Sequence, residues 1–256
     1  MQLTCIFSVE NFKLVFHEKS FRKVIANCSK IVDEVSLVTV LGQQNTGKTT
    51  LVNYIMFDFI QNHSALFNDR SKNGVWMSSE PISLVNYPSD SKRKIGIVIV
   101  DVAGQIYTRQ NEEIYSSFID FMLTISSVGL INFFQQDLTK QLISEFEGSI
   151  HRDKIRILLH DYDERNTPKE GYRFSDGLHV NVFEIPSVKG NVVDDTLKSG
   201  NYHRRVQDVY FHSMKLFNIR RCTFSVKKLK KNVLLFASPL ERYPVERSTL
   251  CSVTFK

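Results

Sequence analysis

The run Val38–Asn53, VTVLGQQNTGKTTLVN, constrains this chain more than any other stretch. It sets Gly42, Gly47, Lys48 and Thr49 at the spacing G-x-x-x-x-G-K-[ST]. A glycine-rich turn between a strand and a helix points backbone N–H groups at a phosphate, and the helix dipole adds to the attraction. In that frame Lys48 neutralises the β- and γ-phosphates of a nucleotide, and the Thr49 hydroxyl ligates Mg2+. Gly42 and Gly47 supply the backbone freedom of a tight loop. The flanks agree with the motif. SLVTVL, residues 36–41, is a short apolar, β-branched run, hence a buried strand. After the loop, Leu51, Ile55 and Phe59 recur at helical spacing, with Val52 and Met56 alongside.

The rest of the chain repeats this alternation. IGIVIV (95–100), SVGLINFF (127–134), IRILL (155–159) and HVNVFEI (179–185) are further strand candidates. Leu138, Leu142 and Phe146 mark one helical face, and Val206, Val209, Tyr210, Met214 and Phe217 another. Continuous apolar strands separated by helices imply a mostly parallel central sheet covered on both faces.

A second motif belongs with the first. A Mg2+-nucleotide site needs a carboxylate near the metal, and a strand ending in Asp is the usual source. IVIVDVAG supplies Asp101, and Gly104 follows at D-x-x-G spacing, where a backbone N–H can approach the γ-phosphate. D-x-x-G is common by itself. Placed after a hydrophobic strand and downstream of a phosphate loop, it is informative.

Composition sets the remaining bounds. With 256 residues, 42% hydrophobic and 23% charged, the chain has the make-up of a soluble globular protein. The net charge of +6 suits an acidic partner without selecting one. The four cysteines, Cys5, Cys28, Cys222 and Cys251, form no C-x-x-C pair and no metal spacing, which fits a reducing compartment. MQLTCIFSVENF lacks the basic region and long apolar core of a secretory leader. The most apolar region, Tyr115–Phe134, carries Asp120, Asn132 and several hydroxyl residues, so a buried helix and strand explain it better than a membrane span.

Several segments resemble the GTPase domain of the atlastins and guanylate-binding proteins, which are dynamin-related large GTPases. NGVWMSSEP (73–81), followed by the strand and DVAG, is similar to their switch regions. ILLHDYD (157–163) is similar to their base-reading motif, with Asp161 on the family aspartate. One carboxylate there can accept both the N1 and N2 protons of guanine, a donor pair adenine lacks. FKLVFHEKSFRKVI before the loop, TISSVGLINFFQQDLTKQLISEF after the second switch, and VFEIPSVKG with LKSGNYHRRVQDVYF extend the likeness over roughly residues 11 to 215. The atlastin arm fits better. The resemblance implies a three-layer α/β P-loop GTPase domain that binds GTP with Mg2+ and hydrolyses it to GDP and phosphate. It further implies nucleotide-dependent homodimerisation, or pairing with a full-length relative, in the cytoplasm at the cytosolic face of the endoplasmic reticulum.

Under that resemblance, Gly42, Asn45, Thr46, Gly47, Lys48, Thr49, Thr50, Gly104, His160 and Asp161 contact nucleotide, and Thr49 and Asp101 hold the metal. Asn45, Lys48 and Ser71 are the candidate catalytic residues. Three departures stand out. Asn45 occupies the position of the family's internal arginine finger, a group worth about 10³–10⁵ in rate. Lys72 occupies the position of a metal-binding threonine, so either Ser71 slips into place or that ligand is missing. His160 replaces the arginine before the base-reading aspartate. The alternative to a slow GTPase is therefore a catalytically impaired GTP-binding regulatory module. A P-loop ATPase or kinase is the third reading, and Asp161 argues against it.

The expected organisation is an extension over 1–10, the GTPase domain over 11–220, and a basic tail over 221–256. RRCTFSVKKLKK, Arg220–Lys231, holds six basic residues in twelve. Anionic lipid or nucleic acid could meet it, but a solvated basic helix is favoured, and nothing interleaves aromatics for base stacking.

Overall fold

Nine-residue EVSLVTVLG and eight-residue IGIVIVDV lie side by side as parallel strands because both are buried along almost their whole length. Such runs have no solvent face to spare, which is the condition of a parallel sheet interior. The computed structural model describes residues 3–10, 13–42, 46, 48, 74–83, 94–103, 112–134, 152–160, 173, 176, 182–184 and 223–242. Its strands are β1 (Leu3–Glu10), β2 (Lys13–Phe16), β3 (Glu34–Gly42), β4 (Gly74–Ser78), β5 (Ile82–Ser83), β6 (Ile95–Val102), β7 (Val128–Phe134), β8 (Ile155–His160), β9 (Val182–Glu184) and β10 (Phe224–Ser225). Its helices are α1 (Glu18–Ile31), α2 (Glu112–Ile125) and α3 (Val226–Arg242), with a short 3₁₀ turn over Arg152–Lys154.

All ten strands join one sheet in the order β2-β1-β4-β6-β3-β7-β8-β9, with β10 added to β3 and β5 to β6. From β6 to β9 every pairing is parallel. The five apolar runs expected as strands are these five, the last of them described as strand over 182–184 only. The other wing, β4-β1-β2, is antiparallel throughout. Tyr115–Phe134 resolves into the end of α2 and β7, a helix and a strand as its polar residues suggest. Among the described residues no helix is long and apolar enough to cross a membrane. The helices expected near 51–59, 138–146 and 202–217 lie outside the described residues.

Helix α3 packs against α1 and α2, and all three lie against the sheet. Helix α1 buries Phe21, Val24, Ile25 and Cys28, the spacing of one helical face. Helix α3 buries Val226, Leu229, Val233 and Ala237, and its Phe236 ring stacks on Phe121 of α2 at 3.6 Å between centroids. Phe7 of β1 is fully buried between Phe16 and Phe118, at 5.0 and 5.7 Å. Residues at both ends of the chain thus contribute to the same core. Burial pushes the Cys28 thiol up to about 11, so it is an inert packing group.

Candidate nucleotide site

Strand β3 is where the sheet's connectivity reverses, since β6 lies on one side of it and β7 on the other, both parallel to it. In open α/β sheets the crevice outside the carboxyl ends of such strands is the ligand site. Four parallel strands end at this edge with Val102, Gly42, Phe134 and His160.

The loop starts at Gly42, whose φ of +128° is open to glycine alone among ordinary residues. A Cβ there would stand 2.2 Å from the Asn132 carbonyl oxygen, so the neighbouring backbone excludes every side chain as well. Register explains the closeness, because Gly42 pairs with Asn132 of β7. The Asn132 amide is itself fully buried and donates from Nδ2 to the Thr46 carbonyl at 3.3 Å. Thr46 is buried too. A side chain from β7 thereby grips the middle of the phosphate loop. Spacing gives no sign of this partner, although a lone amide in an otherwise apolar strand was the available clue.

Lys48 itself has helical backbone conformation. Its side chain is only 7% exposed. Burial lowers its pKa from 10.5 to about 8, and attraction from Asp101 opposes that fall. Asp101 is half-buried near the end of β6, paired with Val40 of β3 on one side and Trp76 of β4 on the other. A desolvated ammonium beside one carboxylate gains most from a polyphosphate. A carboxylate at this spot also suits a divalent cation held between it and phosphate oxygens. Among the described residues no group of three or more His, Cys, Asp or Glu forms a protein-only metal site.

The two segments that resemble switch regions in sequence meet at the same edge. The Ala103 N–H donates to the Gly74 carbonyl at 2.8 Å, joining DVAG to the start of β4. Gly74 in turn lies against β1, where a Cβ would come within 2.4 Å of the Phe7 carbonyl oxygen. His160 closes β8 opposite Phe134, at the carboxyl edge of the parallel strands. Of the expected site residues, Gly42, Thr46, Lys48 and Asp101 converge here, and His160 is described by its backbone. Asn45, Gly47, Thr49, Thr50, Ser71, Gly104 and Asp161 lie outside the described residues, as does Lys72.

The strand order, with a phosphate loop leaving the central strand, is consistent with the P-loop GTPase fold. No protein-family model matches this chain, and no curated protein matches it. Among solved structures it is similar to Methanosarcina barkeri Roco2 RocCORdC bound to GDP, at 14% identity and a TM-score of 0.42. That likeness covers 76% of this chain and 54% of the other, so the chain spans about half the length of its structural neighbour. At such a distance a functional reading rests on the strand order and the loop geometry rather than on the likeness.

Proposed function

We propose that this chain binds a guanine nucleotide at the carboxyl edge of β3 and hydrolyses GTP slowly. The observation that carries the proposal is the buried Lys48 beside Asp101, at the end of a loop that begins on a positive-φ glycine. Lys48 holds the β- and γ-phosphates, and backbone N–H groups of the loop from Asn45 to Thr50 cradle them. Mg2+ on Thr49 and Asp101 supplies charge neutralisation at the phosphates when bound. Asp161 accepts the two guanine donors. Gly104 offers a backbone N–H to the γ-phosphate, while Ser71 is the hydroxyl available from the first switch. Hydrolysis adds water to the γ-phosphorus and breaks its bond to the β–γ bridging oxygen, giving GDP and phosphate.

With Asn45 at the arginine-finger position, no cation from the loop's midpoint meets the charge growing on that oxygen. The rate falls while affinity is kept, because such a contact acts mostly in the transition state. Asn45 and Lys72 equally support a regulatory module that binds GTP without turning it over. The narrower atlastin-type features, pairing of two copies and an endoplasmic-reticulum setting, rest on the sequence resemblance. Single-turnover hydrolysis of GTP and ATP, measured with both affinities, separates these readings. Tight GTP binding with slow GTP hydrolysis and weak ATP binding is expected. Tight GTP binding with no hydrolysis assigns the regulatory module, and preferential ATP binding overturns the guanine assignment.

A further inference from the structure

The chain's positive charge is not spread evenly. Helices α1 and α3 together carry nine Lys and Arg against two Glu, whereas the whole chain has a net charge of only +6. All of the excess therefore sits on two helices, and the remainder of the chain is close to neutral. The two are neighbours that run in opposite directions. The Val226 N–H at the start of α3 lies 3.4 Å from the Asp33 carbonyl, just past the end of α1. The body of α3 packs on α1 and on β2, the strand that leads into the start of α1. Lys19, Arg22, Lys23 and Lys30 are exposed along α1, as are Lys227, Lys228 and Lys231 on α3. Among the described residues the ion pair on this face is Arg22 with Glu18, and the nearby Asp33 carboxylate accepts the Lys94 N–H at 2.9 Å. The other acids of the three helices, Glu112, Glu113 and Asp120, fall on α2.

A second feature coincides with the first. The large hydrophobic residues exposed among the described residues are Ile31 (39%) and Leu235 (53%), one on each of the two basic helices. Cations flanking isolated aliphatic side chains suit an interface of anionic headgroups over acyl chains, where lysines stay with the headgroups and the aliphatic groups dip below. Single-stranded nucleic acid would instead use stacking rings, and the aromatic rings of α3 and β10 are engaged elsewhere. Phe236 stacks on Phe121, and Lys228 covers Phe224 at 5.8 Å.

We propose that the α1–α3 face docks this chain on an anionic lipid surface. Each lysine near such a surface contributes about a factor of five in partitioning, so three contribute roughly a hundredfold. The test is sedimentation of the full chain with phosphatidylserine-containing or pure phosphatidylcholine vesicles, with single-stranded RNA binding measured in parallel. Wild-type chain is expected on the phosphatidylserine vesicles alone, with binding weakened by added salt. K227E/K228E/K231E should lower partitioning by roughly a hundredfold or more, and K19E/K23E provides an independent loss on α1. Leu235→Ser should lower it by about fivefold, an effect that charge attraction alone does not produce. All these side chains are exposed, and a thermal melt checks that each variant keeps its fold. Absence of binding to phosphatidylserine vesicles, or equal binding to both vesicle types, overturns the proposal. So do undiminished binding by both folded charge variants and RNA binding without vesicle binding.

Discussion

Lys48 shows how one side chain can be placed at the expense of the empty protein. Its buried ammonium has a pKa near 8 against 10.5 when solvated. Below pH 8 both folded and unfolded chains carry the proton, so the full burial cost is present. Between about 8 and 10.5 only the unfolded chain holds it, and stability therefore rises with pH across that window. Lys48→Met should make the nucleotide-free chain more stable at pH 7, by up to about 3 kcal/mol, and this advantage should shrink as pH passes 8. Equal melting curves for the two proteins at pH 7 would contradict the desolvated charge. Polyphosphate reverses the balance by favouring the proton, so GTP affinity should fall above pH 8 and stay flat with pH in Lys48→Met. Base choice is also a one-residue matter. Asp161→Asn should weaken GTP and favour xanthosine triphosphate, whose base presents a carbonyl to the amide, and competition between the two nucleotides reads it directly. Asn45→Arg should raise the single-turnover GTPase rate at least about tenfold with little change in affinity, since the added charge acts in the transition state.

At the scale of elements, the phosphate loop depends on the strand beside it. Gly42 closes against the Asn132 carbonyl, and the Asn132 side chain holds the Thr46 carbonyl. Gly42→Ala puts a methyl group inside that carbonyl's contact distance and demands a positive φ from alanine. It should cost roughly 3 kcal/mol or more of stability, read by denaturant unfolding. Asn132→Ala leaves the strand in place and removes the grip. A loss of about 1–2 kcal/mol in GTP affinity is expected, together with a stability loss of similar size, because a buried carbonyl is left without its donor. Unaltered GTP affinity in a folded Asn132→Ala protein would show that the loop holds its shape unaided.

At the scale of the whole molecule, both ends of the described chain belong to one core. Strand β1 covers β4, and α3 lies over α1, α2 and β2. Leu229 of α3 is 1% exposed and belongs to the same core as Phe7 of β1. Leu229→Ala should destabilise the chain by about 2–5 kcal/mol, as cavity-forming substitutions do. The same measurement on Leu235→Ser, an exposed position on the same helix, should show a change within about 0.5 kcal/mol.

The chain's local patterns were enough to place the glycine turn that ends β3 and the strand runs of the parallel core. A run such as IGIVIV is apolar on both faces, and a positive-φ turn needs glycine, so each feature is written in adjacent residues. Asp101 was legible for the same reason, since a carboxylate closing an apolar strand stands out. What adjacent residues do not encode is register between distant segments. The pairing of Gly42 with Asn132 joins positions ninety residues apart, and it alone turns a polar residue of an apolar strand into part of the phosphate loop. The antiparallel wing was hidden likewise, because β1 and β4 meet only through long-range pairing. Helix α3 reads as a charge run when scanned residue by residue. Only packing reveals Val226, Leu229, Val233 and Ala237 as its buried side and leaves its lysines outside. The pKa of Lys48 belongs to this second class, because desolvation is a property of everything that surrounds a group and not of its neighbours in the chain.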